Sequence, residues 1–369
     1  MKALHLLLSF LVLLGITSCS NDDNFNSQIQ APPLKSSNVT YILNEGSFGS
    51  NNSTLSYFNN DTGELINDYF QKINPSKGGL GDTGNDLKIY GSKMYAVMNA
   101  SNSVEVMNSK TGVSEGKITI PNARYIAFDK GFAYVSSYAS ATYGNGEALG
   151  IVFKIDTTNL QIISEVNVGR QPDGLAVVHN KLYVANSGGY TTTGDYETTV
   201  SVVDLNSFQV TKNIEVAPNL NKVKVDQNQK VWVTSRGNYG NISSSISVLD
   251  PTTDLVIQKL NLPVSDFDFY GDTMYYIGTE YDNNNKSSNV YGRLNINSLS
   301  KGSSFVNENI KSQIESPYGL AVNQKNGDIY LADAKNYMVT GNVFCLTNGG
   351  DLKWVNATGI IPGHFAFLK

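Results

Sequence analysis

Cysteine, tryptophan and histidine are nearly absent: the 369 residues hold two, two and three of them. So small a supply leaves no disulfide framework and makes a structural zinc site or a Cys/His nucleophilic pair a poor fit. Charge is sparse as well, at 16% of residues, with no Lys/Arg cluster and a formal net charge of −5. The basic footprint that a nucleic-acid binder needs is therefore missing. No stretch after residue 20 keeps a 3.6-residue apolar period, so strands, not helices, are the dominant expected element. Catalytic signatures are missing too: there is no G-x-S-x-G elbow, no H-E-x-x-H and no D-x-D-x-D-G calcium loop. Gly79-Leu80-Gly81-Asp82-Thr83-Gly84 fits G-x-G-x-x-G by its letters. It leads into an expected strand where a dinucleotide site requires a helix.

The chain is instead rich in tyrosine (21), phenylalanine (15) and glycine (33). At its start, Met1-Lys2 precedes an apolar run from Leu4 to Ile16, too short to span a bilayer, and Ile16-Thr17-Ser18-Cys19 then places small residues before a cysteine. This pattern resembles a bacterial lipobox and predicts a signal peptide over 1–18 with lipidation of Cys19. Residues 19–37 read as a flexible tether, with Pro32-Pro33 and several Ser and Asn. Within it, Ser20-Asn21-Asp22-Asp23-Asn24 resembles the acidic export tag of Bacteroidetes surface lipoproteins. Cys345 is then left without a partner.

From residue 38 to 369 the chain repeats one unit: a short apolar strand, a second strand holding an aromatic, a variable loop, a third strand leading into Asp-x-x-Thr/Ser, and a fourth. The clearest copy is Gly174-Leu175-Ala176-Val177, Lys181-Leu182-Tyr183-Val184-Ala185-Asn186 and Val200-Ser201-Val202-Val203-Asp204. The repeated aromatic falls at Tyr41, Tyr95, Tyr134, Tyr183, Trp232, Tyr275 and Tyr330, at intervals of about 39 to 55 residues, the length of a propeller blade. The expected fold is all-β, a seven-bladed β-propeller with four-stranded blades. The first copy lacks a first strand, and 364–368, beginning His364-Phe365-Ala366-Phe367, supplies it from the C-terminus.

In such a fold the second-to-third-strand loops and the starts of the first strands share one face. Those loops carry Phe48, Tyr138, Tyr143, Tyr190, Tyr196, Tyr239, Tyr281 and Tyr337 amid Asn, Ser, Gly and Thr, a composition suited to binding loops. Just before the first strands runs a ring of Asn85, Arg124, Asp173, Asn221, Ser265, Tyr318 and Gly363, expected to surround the channel mouth. A deeper column reads Lys88, Ala127, Ala176, Lys224, Asp268, Ala321 and Ala366, and Lys224 is expected to pair with Asp268. The candidate ligand-binding set is Phe48, Asn85, Arg124, Tyr138, Asp173, Tyr190, Arg236, Tyr239, Tyr281 and Tyr318. No residue is assigned a catalytic or metal-binding role and no cofactor is expected. Loop carboxylates (Glu45, Glu147, Asp195, Glu197, Glu280, Asp282, Asp333) leave open a glycosidase pair, which needs only a suitable separation.

Leu182-Tyr183-Val184-Ala185-Asn186 with Val200-Ser201-Val202-Val203-Asp204 resembles the YVTN/YncE-like seven-bladed propellers. Asn44-Glu45-Gly46-Ser47-Phe48 with Leu55-Ser56-Tyr57-Phe58, and Tyr330-Leu331-Ala332-Asp333-Ala334 with Gly359-Ile360-Ile361-Pro362-Gly363, are similar to the surface propeller lipoproteins of Bacteroidetes, the cobalamin-binding BtuG family among them. That resemblance implies a lipid-anchored, outer-membrane, surface-exposed protein that is not an enzyme. It would capture cobalamin (vitamin B12), a corrinoid carried as ligand and not as cofactor, and deliver it to a BtuB-like TonB-dependent receptor. A tyrosine-lined cup would cover the corrin faces and Asn, Asp and Arg would meet its amides, with Arg124 and Arg236 near the nucleotide-loop phosphate. The alternatives are a glycan-binding or glycan-cleaving propeller, in which the same tyrosines stack on sugars, and a protein-interaction scaffold.

Overall fold

The computed structural model describes residues 37–139, 148–191, 194–281, 284 and 286–368. The signal segment, Cys19, the tether up to residue 36, Tyr143, Glu147 and Asp282 lie outside the described residues. The described strands form seven separate antiparallel sheets, each built from consecutive segments of the chain except the first. These sheets are the seven blades of a β-propeller. Blade one takes its innermost strand, Pro362–Phe367, from the C-terminus, where it pairs with Val39–Asn44. The innermost strands of blades two to seven are Gly84–Tyr90, Ala123–Asp129, Pro172–Val178, Leu220–Val225, Asp266–Tyr270 and Pro317–Val322.

Burial peaks at the second strand of each blade, while innermost strands such as Leu220–Val225 and Pro317–Val322 are partly open to the channel. Second strands such as Ile329–Asp333 and Lys93–Met98 are buried almost throughout, because each lies mid-blade with a neighbouring blade on either face. Outer strands such as Leu255–Leu260 alternate exposed and half-buried, as a strand with one wet face does. The repeated aromatic occupies one register throughout: Tyr95 opposes Lys88, Tyr134 Ala127, Tyr183 Ala176, Trp232 Lys224, Tyr275 Asp268, Tyr330 Ala321 and Tyr41 Ala366. Each of these aromatics sits in a different one of seven apolar clusters, one at each boundary between blades. Trp232, for instance, packs with Phe267, Phe269 and Met274 of the next blade.

Near the axis the blades approach until only glycine fits. A Cβ on Gly174 would lie 2.4 Å from the Asn221 carbonyl oxygen, and one on Gly319 would lie 2.2 Å from that of Gly363. Aspartates bridge the same seam. Asp86 accepts the Ile126 N–H at 3.1 Å, Asp266 that of Leu320 at 3.0 Å, and Asp268 that of Val322 at 2.8 Å. Lys224 stands 3.8 Å from Asp268, its expected partner, and 3.6 Å from Asp266.

Blade six departs from the repeat, with three strands where the other six blades have four. After Ser287–Asn295 the chain reads Ser298-Leu299-Ser300-Lys301-Gly302-Ser303-Ser304, without apolar alternation, and makes only a single bridge, Leu294 with Lys301. Phe305, Val306, Ile310 and Ile314, around the short helix Glu308–Lys311, then fill the boundary with blade seven. Among the described residues no helix is long and apolar enough to cross a membrane.

Trp232→Ala is expected to cost about 3–5 kcal/mol, because it empties one inter-blade cluster and strips Asp226 of the indole N–H it accepts at 2.8 Å. Gly174→Ala should also lower the melting temperature, since backbone atoms and not a flexible side chain stand in its way. Denaturant and thermal melts followed by circular dichroism check both; a neutral Gly174→Ala would mean that the inner strands are not held this close.

Candidate functional site

Antiparallel order places the second-to-third-strand loops and the first-strand entries on one face, around the mouth of the central channel. At that mouth the strand register breaks in six of the seven innermost strands, between Gly84 and Asp86, Ala123 and Ile126, Pro172 and Leu175, Leu220 and Val223, Pro317 and Leu320, and at Pro362 against Asn44. A bulge of this kind re-aims side chains. Asn85, Arg124, Asp173, Asn221, Tyr318 and Gly363, six of the seven ring positions, all fall within one.

Two charged clusters result. On the side of blades three to five, Asp173 is fully enclosed and takes the Arg124 Nε at 2.9 Å on Oδ1 and the Arg236 Nη1 at 3.1 Å on Oδ2. The Tyr138 hydroxyl donates to the same Oδ1 at 2.8 Å, and the Tyr138 ring lies 4.9 Å from the Arg124 guanidinium. Asn85 donates to the Arg124 carbonyl at 2.7 Å, and Asn219 lies 3.5 Å from Arg236. Tyr190 meets Tyr138 edge-on at 5.7 Å, with its own backbone N–H bound to Gln171 at 2.7 Å. Burial would raise the Asp173 pKa, but the two guanidiniums and the Tyr138 hydroxyl outweigh it, and the carboxyl is held below its ordinary range. Burial pushes the Tyr138 phenol well above its ordinary value, so it stays a proton donor.

Across the mouth, Glu45 accepts the Tyr318 hydroxyl at 2.8 Å on one oxygen and lies 3.0 Å from His364 Nε2 on the other. Tyr337 stands edge-on to Tyr318 at 5.8 Å. Below, the channel opens into a cavity of about 300 Å³ whose walls include Asp86, Tyr125, Lys222, Lys224, Asp266 and His364. Above, Phe48, Tyr239 and Tyr281 stand on the rim, 63%, 74% and 70% exposed, with Met338 and Ile242 also exposed.

Asn85, Arg124, Asp173, Tyr138, Tyr190 and Arg236 thus form one continuous cluster. Tyr318 belongs to the second, and Phe48, Tyr239 and Tyr281 to the rim. Asp173, with no surface of its own, acts through its arginines as a positioning residue. Tyr125 and Lys222 are new to the site: the bulge shifts them one place from the ring, and nothing in their local sequence marks them. The pairing of Glu45 with His364 joins opposite ends of the chain and has no local signal either.

Residues 38–344 match DUF5074, a domain of unknown function. The chain belongs to the DUF5074 family. None of the curated proteins matches it. Among solved structures, this DUF5074 chain is similar to a quinonprotein alcohol dehydrogenase-like protein from Bacteroides thetaiotaomicron, at 12% identity and a TM-score of 0.64, over 89% of this chain and 78% of that one. It is also similar to hydrazine synthase of Kuenenia stuttgartiensis, at 16% identity and a TM-score of 0.58, over 76% and 88%. At such identities the likeness is one of fold alone.

Asp173→Asn in the DUF5074 chain should cost about 3–5 kcal/mol near neutral pH, because it leaves two largely buried guanidiniums without their carboxylate. A lowered folded pKa contributes stability above the unfolded value of about 3.9, and that contribution fades as pH falls through the folded value. The gap in melting temperature between wild type and Asp173→Asn is therefore expected to narrow below about pH 3.9. A gap independent of pH would assign the loss to packing and not to charge.

Proposed function

We propose that the loop face is a binding surface for a large, partly apolar ligand, with cobalamin the first candidate. The observation that carries this reading is a rim of exposed aromatics, Phe48, Tyr190, Tyr239 and Tyr281, above a mouth where Asp173 is bound to Arg124 and Arg236 and Glu45 lies against His364. Exposed rings supply contact area at small entropic cost, while the enclosed ion pairs keep the floor rigid. A corrinoid fits that division, with apolar faces to cover and a rim of amides to satisfy. Its identity as ligand rests on the terminal motifs that resemble Bacteroidetes surface propellers. On the lipobox-like Ile16-Thr17-Ser18-Cys19 we propose lipid anchoring at Cys19, and on the propeller motifs display at the outer-membrane surface and delivery to a BtuB-like transporter.

Binding without turnover is the reading we favour, because three of the loop carboxylates, Glu45, Glu197 and Asp333, have internal partners, while Asp195 and Glu280 are exposed. Glu45 is held by Tyr318 and His364, Glu197 pairs with Arg170 at 2.9 Å, and Asp333 accepts the Ser316 and Lys335 N–H groups. An acid–base pair needs carboxyl groups open to a substrate.

Titration of the soluble 38–369 fragment with cyanocobalamin, followed by heat and by the corrin absorption, tests the proposal. The expected result is stoichiometric binding at about nanomolar affinity or tighter, roughly −12 kcal/mol. Tyr190→Ala and Tyr281→Ala should each weaken it by about tenfold or more, with melting temperature unchanged. No heat at micromolar protein would remove cobalamin and bring glycan ligands forward; full affinity in both variants would move the site off this face.

A further inference from the structure

We infer that the blade three-to-five side of the mouth is an anion subsite, in which Arg236, Arg124 and Lys222 read a phosphate group of the bound ligand. The inference deepens the binding proposal above and rests on its choice of face. Asp173 spends both oxygens on the two arginines and the Tyr138 hydroxyl, yet occupies only Nε of Arg124 and Nη1 of Arg236. Among the described residues no other carboxylate lies within 4.0 Å of either guanidinium. A third of the Arg236 side chain and 12% of that of Arg124 are open to solvent, against 1% of Asp173, so Arg236 presents the more accessible donors of the cluster.

Lys222 adds the third cation. Lys88 and Lys224 each have an aspartate within 3.6 Å, but no described carboxylate lies within 4.0 Å of Lys222, whose ammonium sits 4.9 Å from the centre of the Tyr125 ring. Asp266 and Asp86 favour the charged form of Lys222 from beyond 4.0 Å, while both oxygens of each also accept backbone N–H groups. Arg124 lies 5.9 Å from the same Tyr125 ring, so that ring joins the two halves of the subsite. Beside Lys222, Asn221 is 94% buried and its Oδ1 finds no hydrogen bond among the described residues. A protic atom next to the anion would satisfy it. The opposite wall carries Glu45, which repels an anion and so fixes which way round the ligand enters. Two forked guanidiniums and an ammonium match the several oxygens of a phosphate.

The test uses the folded chain and inorganic phosphate. Thermal melts in phosphate are compared with melts in chloride of equal ionic strength. The expected result is a saturable rise in melting temperature in phosphate, lost in Arg236→Gln and kept in Lys259→Gln on an outer strand. If Arg236→Gln melts too low for comparison, Lys222→Met provides the same contrast. No phosphate-specific rise, or one undiminished in both Arg236→Gln and Lys222→Met, overturns the subsite. A second measurement compares cyanocobalamin with cobinamide, which lacks the phosphate-bearing nucleotide loop. If the ligand is a corrinoid, cobalamin should bind at least about tenfold tighter, and the preference should shrink in Arg236→Gln. Should neither corrinoid bind, the cobalamin reading falls while the phosphate melts still decide the subsite.

Discussion

Each sheet of this protein is apolar on both faces and can bury them only against two neighbours, so the chain must form a ring and the ring must close. Closure falls to Pro362–Phe367, which pairs with Val39–Asn44 and fastens the last described strand to the first. Without it, blade one would present an unpaired inner edge to the channel. The seven aromatics express the same constraint side chain by side chain. Each fills one boundary, and four of them, Tyr183, Trp232, Tyr275 and Tyr330, also have a hydrogen-bond partner for their polar end. A propeller of this kind needs no disulfide, and Cys345 is a buried free thiol packed between blades seven and one.

The candidate site is a by-product of ring geometry. Inner strands converge so closely that no Cβ fits at Gly174 or Gly319, and these glycines lie within the bulges where the strands enter the channel. Those bulges turn successive ring residues toward one another across blade boundaries. Arg124 of blade three therefore meets Asp173 of blade four, which in turn meets Arg236 of blade five. The result is a charged floor beneath aromatic loops, with Asp173 and its two arginines on one side and Glu45 with His364 on the other.

Most of the architecture was legible in the residues because a propeller writes its unit repeatedly, and an aromatic at one fixed register survives large changes in loop length. The sixth blade was less legible: Tyr275 marks it as clearly as the others, but the Ser/Gly stretch after Asn295 does not form an outer strand. The ring of mouth residues was readable for the same reason as the aromatics, as a column at constant offset. Tyr125 and Lys222 were not, because a bulge shifts which residue of the strand faces the axis.

By itself, then, the sequence determined the number of blades, the strand that closes them, and which loops crowd onto one face. These follow from local periodicity, and every copy repeats the message. What only the tertiary structure decided is which charges meet. Arg124, Asp173 and Arg236 stand on three different blades, and Glu45 and His364 lie near opposite ends of the chain. No spacing along a chain encodes such contacts, which exist only once the ring has closed and the bulged strands point inward.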